Sequence, residues 1–515
     1  MSSTSRHLTD LSAAEKRALL ARLLRRKTSA AKSLHPLSYN QQGIWFLYQL
    51  APESMVYNVH FAARICGEVN VPALRQAFQA LSDRHASLRT TFPVHSGQPV
   101  QQVHAHQDVH FEETDGSEWS SDELNTRLVE EAYRPFDLEQ GPLLRATLFA
   151  RSKQERILLL VVHHIVIDFW SLAVLLYELD VLYPAALVGV PAALPALDVQ
   201  YTDYVRWQAE MLASPEGERL WAYWRKQLAG QLPVLELPTD RPRPRIQAHR
   251  GASHEFTLSD ELSGHLKALA KAKSATLYVV LLAAFQAILH YHTGQDDLLV
   301  ASPVVGRSRA EFEGIVGLFT NPVVLRANLS GNPTFTEFLG QVRKTVLGAL
   351  EHQDFPTILL VERLRPSRDL SRSPVCQVMF VLDKPHRLAA GGPSNFALGQ
   401  TGVRINPGGL VMESFPLERR AATLDLVLLI IEAGHSLSAS MRYSTDLFDA
   451  ATIVRLAGHF ETLLRHVVRQ PDANLSALTE VLDAADQRHA AAKRQAYRET
   501  NLLRLHKARR KVVSA

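Results

Sequence analysis

The run Ile157–Val162 narrows the folds open to this chain more than any other feature. It is continuously apolar, has β-branched members and is too short for an ordinary helix. Such a run reads as a strand buried on both faces. After it, Phe169–Tyr183 carries Leu172, Leu175, Leu176 and Leu179 on one helical face. A buried strand followed directly by a helix predicts an α/β chain, and strands mixed with helices recur from Leu34 to about Ala485. Residues 72–84 space Leu74, Phe78 and Leu81 as a helix does, with Pro72 in its first turn. A second set begins near His254. Glu255–Leu258 reads as a strand, Ser259 caps a helix, Thr276 caps another that ends at Gly294, and Leu298–Val304 is again a strand. The Pro-rich stretch 237–245 separates the sets and predicts a crossing segment, with the division between two α/β lobes around residues 205–245.

With 515 residues, and at roughly 100–200 residues per domain, two to four compact units are expected. Hydrophobic residues at 46% and charged residues at 21% fit a globular protein with large cores. The net charge is +4, and many of the basic residues sit in Lys16–Lys27 and Lys493–Lys511. No aromatic-interleaved basic patch accompanies them, so no nucleic-acid partner is expected. Cys66 and Cys376 build neither a disulfide framework nor a metal site, which fits a reducing cytoplasm. The first residues have no apolar core of a signal peptide, and no apolar run approaches the roughly 18 residues of a membrane span, so no membrane association is expected. Residues 9–27 predict an amphipathic helix capped by Ser12, either a docking element for a partner chain or a helix that packs on its own domain or stays loose. The Gly- and Pro-rich stretch Ala389–Gly409 predicts a long loop, and loops of that length often carry function.

The chemistry concentrates after the buried strand, in His163-His164-Ile165-Val166-Ile167-Asp168. Adjacent strand residues point to opposite faces, so one imidazole can face a cavity while its neighbour is tied into the fold. That divergence argues against a metal site and for one working base with one supporting residue. Alone, a histidine pair is equally compatible with hydrogen-bonded core residues. Gly434-His435-Ser436-Leu437-Ser438 resembles a thioesterase nucleophile elbow, but Leu437, Ala439 and Met441 alternate as a strand where an elbow requires a helix, so a hairpin turn is expected.

HHIVID resembles the HHxxxDG motif of nonribosomal peptide synthetase condensation domains. Similar segments accompany it in the family's order: SYNQQGIWFL (38–47), RHASLRTTF (84–92), YTDYVRWQ (201–208), GIVGLFTN (314–321), HQDFP (352–356), RDLSRSP (368–374) and YSTDLF (443–448). The resemblance spans about residues 34–485. It implies an α/β fold of two chloramphenicol-acetyltransferase-like lobes in a V-shaped pseudo-dimer, with an active-site tunnel between them. The expected domains are an N-terminal helix and linker over 1–33, an N-terminal lobe over 34–205, a C-terminal lobe over 206–485 and a basic helical tail over 486–515.

The implied reaction is attack by a carrier-bound aminoacyl amine on a carrier-bound acyl thioester, giving an amide. The domain itself would bind no cofactor, because donor and acceptor carrier domains deliver the phosphopantetheine arms. Other partners would be neighbouring synthetase or polyketide synthase domains, around a monomeric domain. A thioester is already activated and an α-amine has a pKa of about 7.7–8.0, so positioning could supply several kcal/mol. An imidazole suits the remaining proton transfer. By motif position His164 is the catalytic candidate and His163 is structural. Asp168 either orients His164 or pairs with an Arg of the second lobe, and Arg307 holds the corresponding place. Ser171 would cap the following helix, whose N–H groups could stabilise an oxyanion.

The departure from the family is Phe169, where Gly is usual. With Trp170, Ser171, Asn321 and Pro322 it is expected to line the tunnel and position substrate, its ring either filling space at the reacting carbonyl or turning into the lobe. An epimerisation domain would carry an EGHGRE-like segment, which is missing, and a heterocyclising domain would replace the histidines by aspartates. The alternative of another class is a condensation-like scaffold that recruits a tailoring enzyme to a carrier-bound amino acid.

Overall fold

The structure, a computed structural model, describes residues 34–152, 154–365, 369–383, 396, 402–488 and 491. The helix expected over 9–27, nearly all of the basic tail and most of the 389–409 stretch lie outside the described residues.

The chain divides into two compact units. The first comprises the residues up to Glu216, with Arg307–Thr320 and His386–Leu417; the second comprises Gly217–Gly306, Asn321–Pro385 and the residues from Glu418 on. The expected boundary at 205/206 therefore falls too early. Two later segments of the sequence, one of them bearing Arg307, belong to the first unit.

The first unit is built on strands β1 (Asn58–Cys66), β2 (His110–Asp115), β3 (Leu144–Ala150) and β4 (Glu155–His163). Its helices are α1 (Tyr39–Leu50), α2 (Val71–Arg84), α3 (Ser121–Ala132), α4 (Phe169–Val188) and α5 (Tyr201–Leu212). In the sheet, β4 lies between β1 and β3 and pairs antiparallel with both, with Asn58 opposite His163 and Leu144 opposite Val162. Ile157–Val162 is almost completely buried, as a central strand covered on both faces requires.

Short strands Met412–Phe415 and Arg404–Ile405 extend the β1 edge. The described end of the 389–409 stretch thus joins the sheet. Its Gly408, at φ +60°, donates its N–H to Asp180 of α4 at 2.5 Å. A Cβ there would meet Pro184 at 2.6 Å, so the close approach requires glycine.

Helix α4 corrects one expectation. By length and composition it is apolar enough to cross a membrane. Its buried face, including Leu172, Val174, Leu175, Leu179 and Leu182, makes it instead the core helix of the first unit. Buried Glu178 of α4 takes Arg84 Nε and His85 Nε2, each at 2.7 Å, and so ties down the end of α2.

The second unit carries β5 (Gly251–Leu258), β6 (Asp297–Val304), β7 (Asn321–Asn328), β8 (Val378–Asp383), β9 (Leu426–Ala433) and β10 (Ser436–Ser444), in the order β5-β10-β9-β8-β6-β7. Ser259 and Thr276 cap α6 (Asp260–Ala272) and α7 (Leu277–Thr293), and Gly294 closes α7 in the left-handed conformation. Helices α6 and α7 pack with α8 (Phe335–Glu351) and α9 (Ala450–Arg469). The stretch 434–435 is the tight turn between β9 and β10, with Gly434 at φ +63°, so the nucleophile-elbow likeness is a hairpin. The Pro-rich stretch belongs to the second unit, where Arg243 forms a buried pair with Asp425.

Candidate active site

Strand β4 ends at His163, and a single 3₁₀ turn over His164–Val166 brings the chain to Asp168, the N-cap of α4. This compact link separates the two imidazoles. His163 is buried, and its Nδ1 accepts the Ile165 N–H at 3.3 Å. Its ring meets Phe136 edge-on, with centroids 5.9 Å apart. The Arg145 guanidinium lies 3.8 Å from the centroid of that same Phe136 and donates to the Glu131, Arg134 and Pro135 carbonyls. Burial, reinforced by the His164 and Arg145 charges, holds the His163 imidazole down to a pKa of about 3. A ring so placed stays neutral.

His164 differs. It is half-buried, and its Nδ1 lies 2.6 Å from the Ile167 carbonyl oxygen. A carbonyl only accepts, so Nδ1 carries the proton and Nε2 of the neutral ring keeps its lone pair. The backbone N–H of His164 donates to the Tyr57 carbonyl at 2.9 Å, which fixes the residue against the start of β1.

Asp168 is fully buried and its carboxylate is saturated. It accepts from Ser171 N at 2.8 Å and Oγ at 2.6 Å, Arg307 Nη1 at 2.7 Å and Nη2 at 3.1 Å, Phe319 N at 3.1 Å and Thr320 N at 3.3 Å. Burial pushes this carboxyl up, but the Arg307 charge and the hydrogen bonds from Arg307 and Ser171 outweigh it and hold the group below the usual carboxylate range. Such a carboxylate has no capacity left to orient His164. The pair with Arg307 stands, but both partners belong to the first unit.

Ser171 does not cap α4; Asp168 does. The hydroxyl of Ser171 also accepts Gly317 N at 3.1 Å and Arg307 Nη2 at 2.9 Å, so it serves as a rivet between α4 and the 307–320 segment. With the Ser171 N–H spent on Asp168, that amide is lost as an oxyanion donor. The segment is pinned further by Tyr201, whose hydroxyl bonds the Leu318 carbonyl at 2.7 Å and Ser38 Oγ at 2.9 Å. A Cβ on Gly317 would fall 2.1 Å from the Tyr201 ring, so only glycine fits.

Gln41 of α1 donates to the Ile165 carbonyl at 3.0 Å, and Asn40 to the Thr320 carbonyl at 2.9 Å. Residues from SYNQQGIWFL, YTDYVRWQ and GIVGLFTN thus converge on the turn after β4. Gln41 and Tyr57 were not singled out from the sequence. The position of Gln41 three residues after a helix-capping Ser38 is a signal that could have found it.

Phe169 begins α4 and remains 41% exposed, so its ring does not turn into the core of the first unit. Trp170 donates its indole N–H to the Glu313 carbonyl at 2.9 Å. Asn321 is corrected from substrate positioning to local scaffolding. Its Nδ2 donates to the Gln353 and Phe355 carbonyls and its Oδ1 accepts from Thr357 N and Oγ1, which uses all four of its hydrogen-bonding capacities. Pro322 sits in β7 opposite Pro303, half-buried.

A family model described as Condensation domain matches residues 32–488. One of the linear gramicidin synthase proteins of Brevibacillus parabrevis is 42% identical over 452 residues, covering 87% of this chain and 6% of that protein. The chain therefore spans a small fraction of the length of that relative. The crystal structure of the X-domain from teicoplanin biosynthesis aligns with a TM-score of 0.76 and 27% identity, over 86% of this chain and 96% of that one. A four-domain nonribosomal peptide synthetase bound to AMP and glycine aligns with a TM-score of 0.76 over 86% of this chain and 33% of that one; at 24% identity this speaks for the fold alone.

Proposed function

We propose, from the premise that this chain belongs to the condensation-domain family, that it forms an amide between two carrier-bound substrates. The amine of an aminoacyl thioester attacks the carbonyl of an acyl or peptidyl thioester, each held on a phosphopantetheine arm that its carrier domain supplies. The observation that carries this reading is the divided histidine pair. His164 Nδ1–H is committed to the Ile167 carbonyl, which leaves Nε2 as an acceptor for the proton of the attacking amine. His163, held neutral in its pocket, fixes the turn that presents His164. Asp168 and Arg307 act as scaffold through their buried pair. Most of the acceleration comes from holding amine and thioester together. The exposed ring of Phe169 is the residue that selects donor shape, beside Trp170. Neighbouring synthetase or polyketide synthase domains would supply and remove the carriers.

The likeness to the X-domain from teicoplanin biosynthesis, which has also been solved in complex with OxyB, supports a second reading, a scaffold that presents a carrier-bound amino acid to a tailoring enzyme. An intact His164 with an unspent nitrogen favours the enzyme. The test is a reconstituted reaction with loaded donor and acceptor carriers. Amide product that disappears in His164→Ala supports condensation; no product from any loaded pair, with capture of a tailoring enzyme instead, overturns it.

A further inference from the structure

The reaction needs more than a base. When the amine adds to the thioester carbonyl, its oxygen becomes an anion, and a positioned donor in a water-poor site stabilises that charge. Neither Asp168 nor Ser171 can serve: Asp168, an ionised carboxylate, has no proton to donate, and Ser171 spends its N–H and O–H on Asp168. Tyr57 can.

The register places it. Asn58 faces His163 across the β1–β4 pair, and the His164 N–H to Tyr57 carbonyl bond carries that register one step further. Residues opposite each other in an antiparallel pair share a face, and their neighbours along the strand take the other. Asn58 accordingly turns its amide to the Ala132 and Arg134 carbonyls, into the pocket of Arg145 and His163. Tyr57 falls on the side of His164. Its ring centroid is 6.4 Å from each imidazole.

Its hydroxyl is also unspent. Other phenols packed into the fold commit theirs: Tyr201 to Ser38 and Leu318, Tyr183 to the Asn70 N–H, Tyr278 to Ser302 and Tyr291 to Asp483. The Tyr57 hydroxyl makes no hydrogen bond among the described residues. Burial pushes this phenol up to about 12, so it keeps its proton across the working pH range. A half-buried tyrosine whose O–H has no partner among the described residues, beside a base whose second nitrogen has none there either, is a site prepared for a substrate oxygen.

We propose that Tyr57 is a catalytic hydrogen-bond donor to the oxyanion of the tetrahedral intermediate; this rests on the amide-forming reading. The amine lone pair forms the C–N bond as the carbonyl π pair moves onto oxygen, where the Tyr57 O–H receives it. His164 Nε2 takes the ammonium proton. The oxygen pair then re-forms the carbonyl, the C–S bond breaks, and the departing thiolate takes the proton back from His164. Tyr57 keeps its own proton throughout.

The experiment uses the full chain with donor carriers charged with N-acetylated aminoacyl groups and acceptor carriers charged with free aminoacyl groups. For Tyr57→Phe, kcat falls about 10²-fold, within the range found on removing one oxyanion donor. KM for both carriers stays within about twofold, because a transition-state interaction leaves ground-state binding alone. The acid limb of the pH–rate profile does not move. Replacing Tyr57 with 3,5-difluorotyrosine adds a basic limb, since the more acidic phenol ionises and stops donating. A Tyr57→Phe kcat equal to that of the unaltered chain, or a loss confined to KM, overturns the role of Tyr57 alone. No product from the unaltered chain with any pair overturns the amide-forming reading and Tyr57 with it.

Discussion

Two histidine pairs among the described residues differ in kind, and the contrast between them shows what makes such a pair a site. In the first unit His163 and His164 are neighbours in sequence. In the second, His292 of α7 and His459 of α9 are brought together by packing, with ring centroids 5.2 Å apart and planes 18° from parallel. Each pair contains an imidazole held neutral: burial, His164 and Arg145 lower His163 to about 3, and the partial burial of His292, with His459 and Arg455, lowers it to about 4. The difference lies in the second ring. His459 spends Nδ1 on His292 Nε2 at 3.1 Å and Nε2 on Asp486 at 2.8 Å. Among the described residues His164 spends only Nδ1. A histidine pair is thus a fastening where both nitrogens of the second ring are committed, and a reactive group where one is left over. In the second unit the fastening holds the end of the described chain, because Tyr291 bonds Asp483 at 2.9 Å beside the same cluster.

The largest expected effect breaks the reactive pair. His164→Ala lowers the rate of amide formation about 10²–10⁴-fold, the range for a general base, while the thermal midpoint stays near that of the unaltered chain. Loss of the fold along with the rate would turn His164 into a second fastening. Next comes the scaffold under that pair. Arg307→Ala leaves the Asp168 carboxylate buried without its counter-charge, and urea unfolding should show a loss of about 3–5 kcal/mol.

A smaller effect is a pH slope that both pairs share. His163 has a folded pKa of about 3 against 6.5 for the free side chain, so between those values the unfolded chain binds the extra proton. Stability therefore rises with pH through that window, on the order of 1.4 kcal/mol per pH unit at most. It is fully present above about pH 6.5 and lost as the pH falls toward 3. His163→Asn should flatten the slope measured by urea titration, and His292→Asn should flatten the part above about pH 4. Smallest is His459→Asn, which loosens the fastening to Asp486 by about 1–2 kcal/mol and leaves kcat unchanged. A drop in kcat there would erase the distinction between the pairs.

Much of the frame was legible in the sequence because it rests on local chemistry. The apolar run at 157–162 forms a buried strand by burial alone, Ser259 and Thr276 cap helices within three residues of themselves, and Gly294 ends a helix where only glycine sits comfortably. Strand alternation predicted that one histidine of the pair is tied into the fold and motif position said which, while the structure separates the two rings by a 3₁₀ turn. Other features depend on residues far apart in the chain. Asn321 reads as a substrate contact in the sequence, yet its amide is committed to residues 353–357. Likewise, the 307–320 segment reads as part of the later lobe, while its contacts place it in the first unit.

The sequence by itself determined the family, the alternation of strands and helices, and the short stretch where the chemistry gathers, since patterning and motif act over a few residues. Only the tertiary structure decided which hydrogen-bonding capacities are already spent. That depends on which carbonyls, amides and charges arrive from elsewhere in the chain, and it is what separates His164 from His459 and Tyr57, unpartnered among the described residues, from a committed Tyr201.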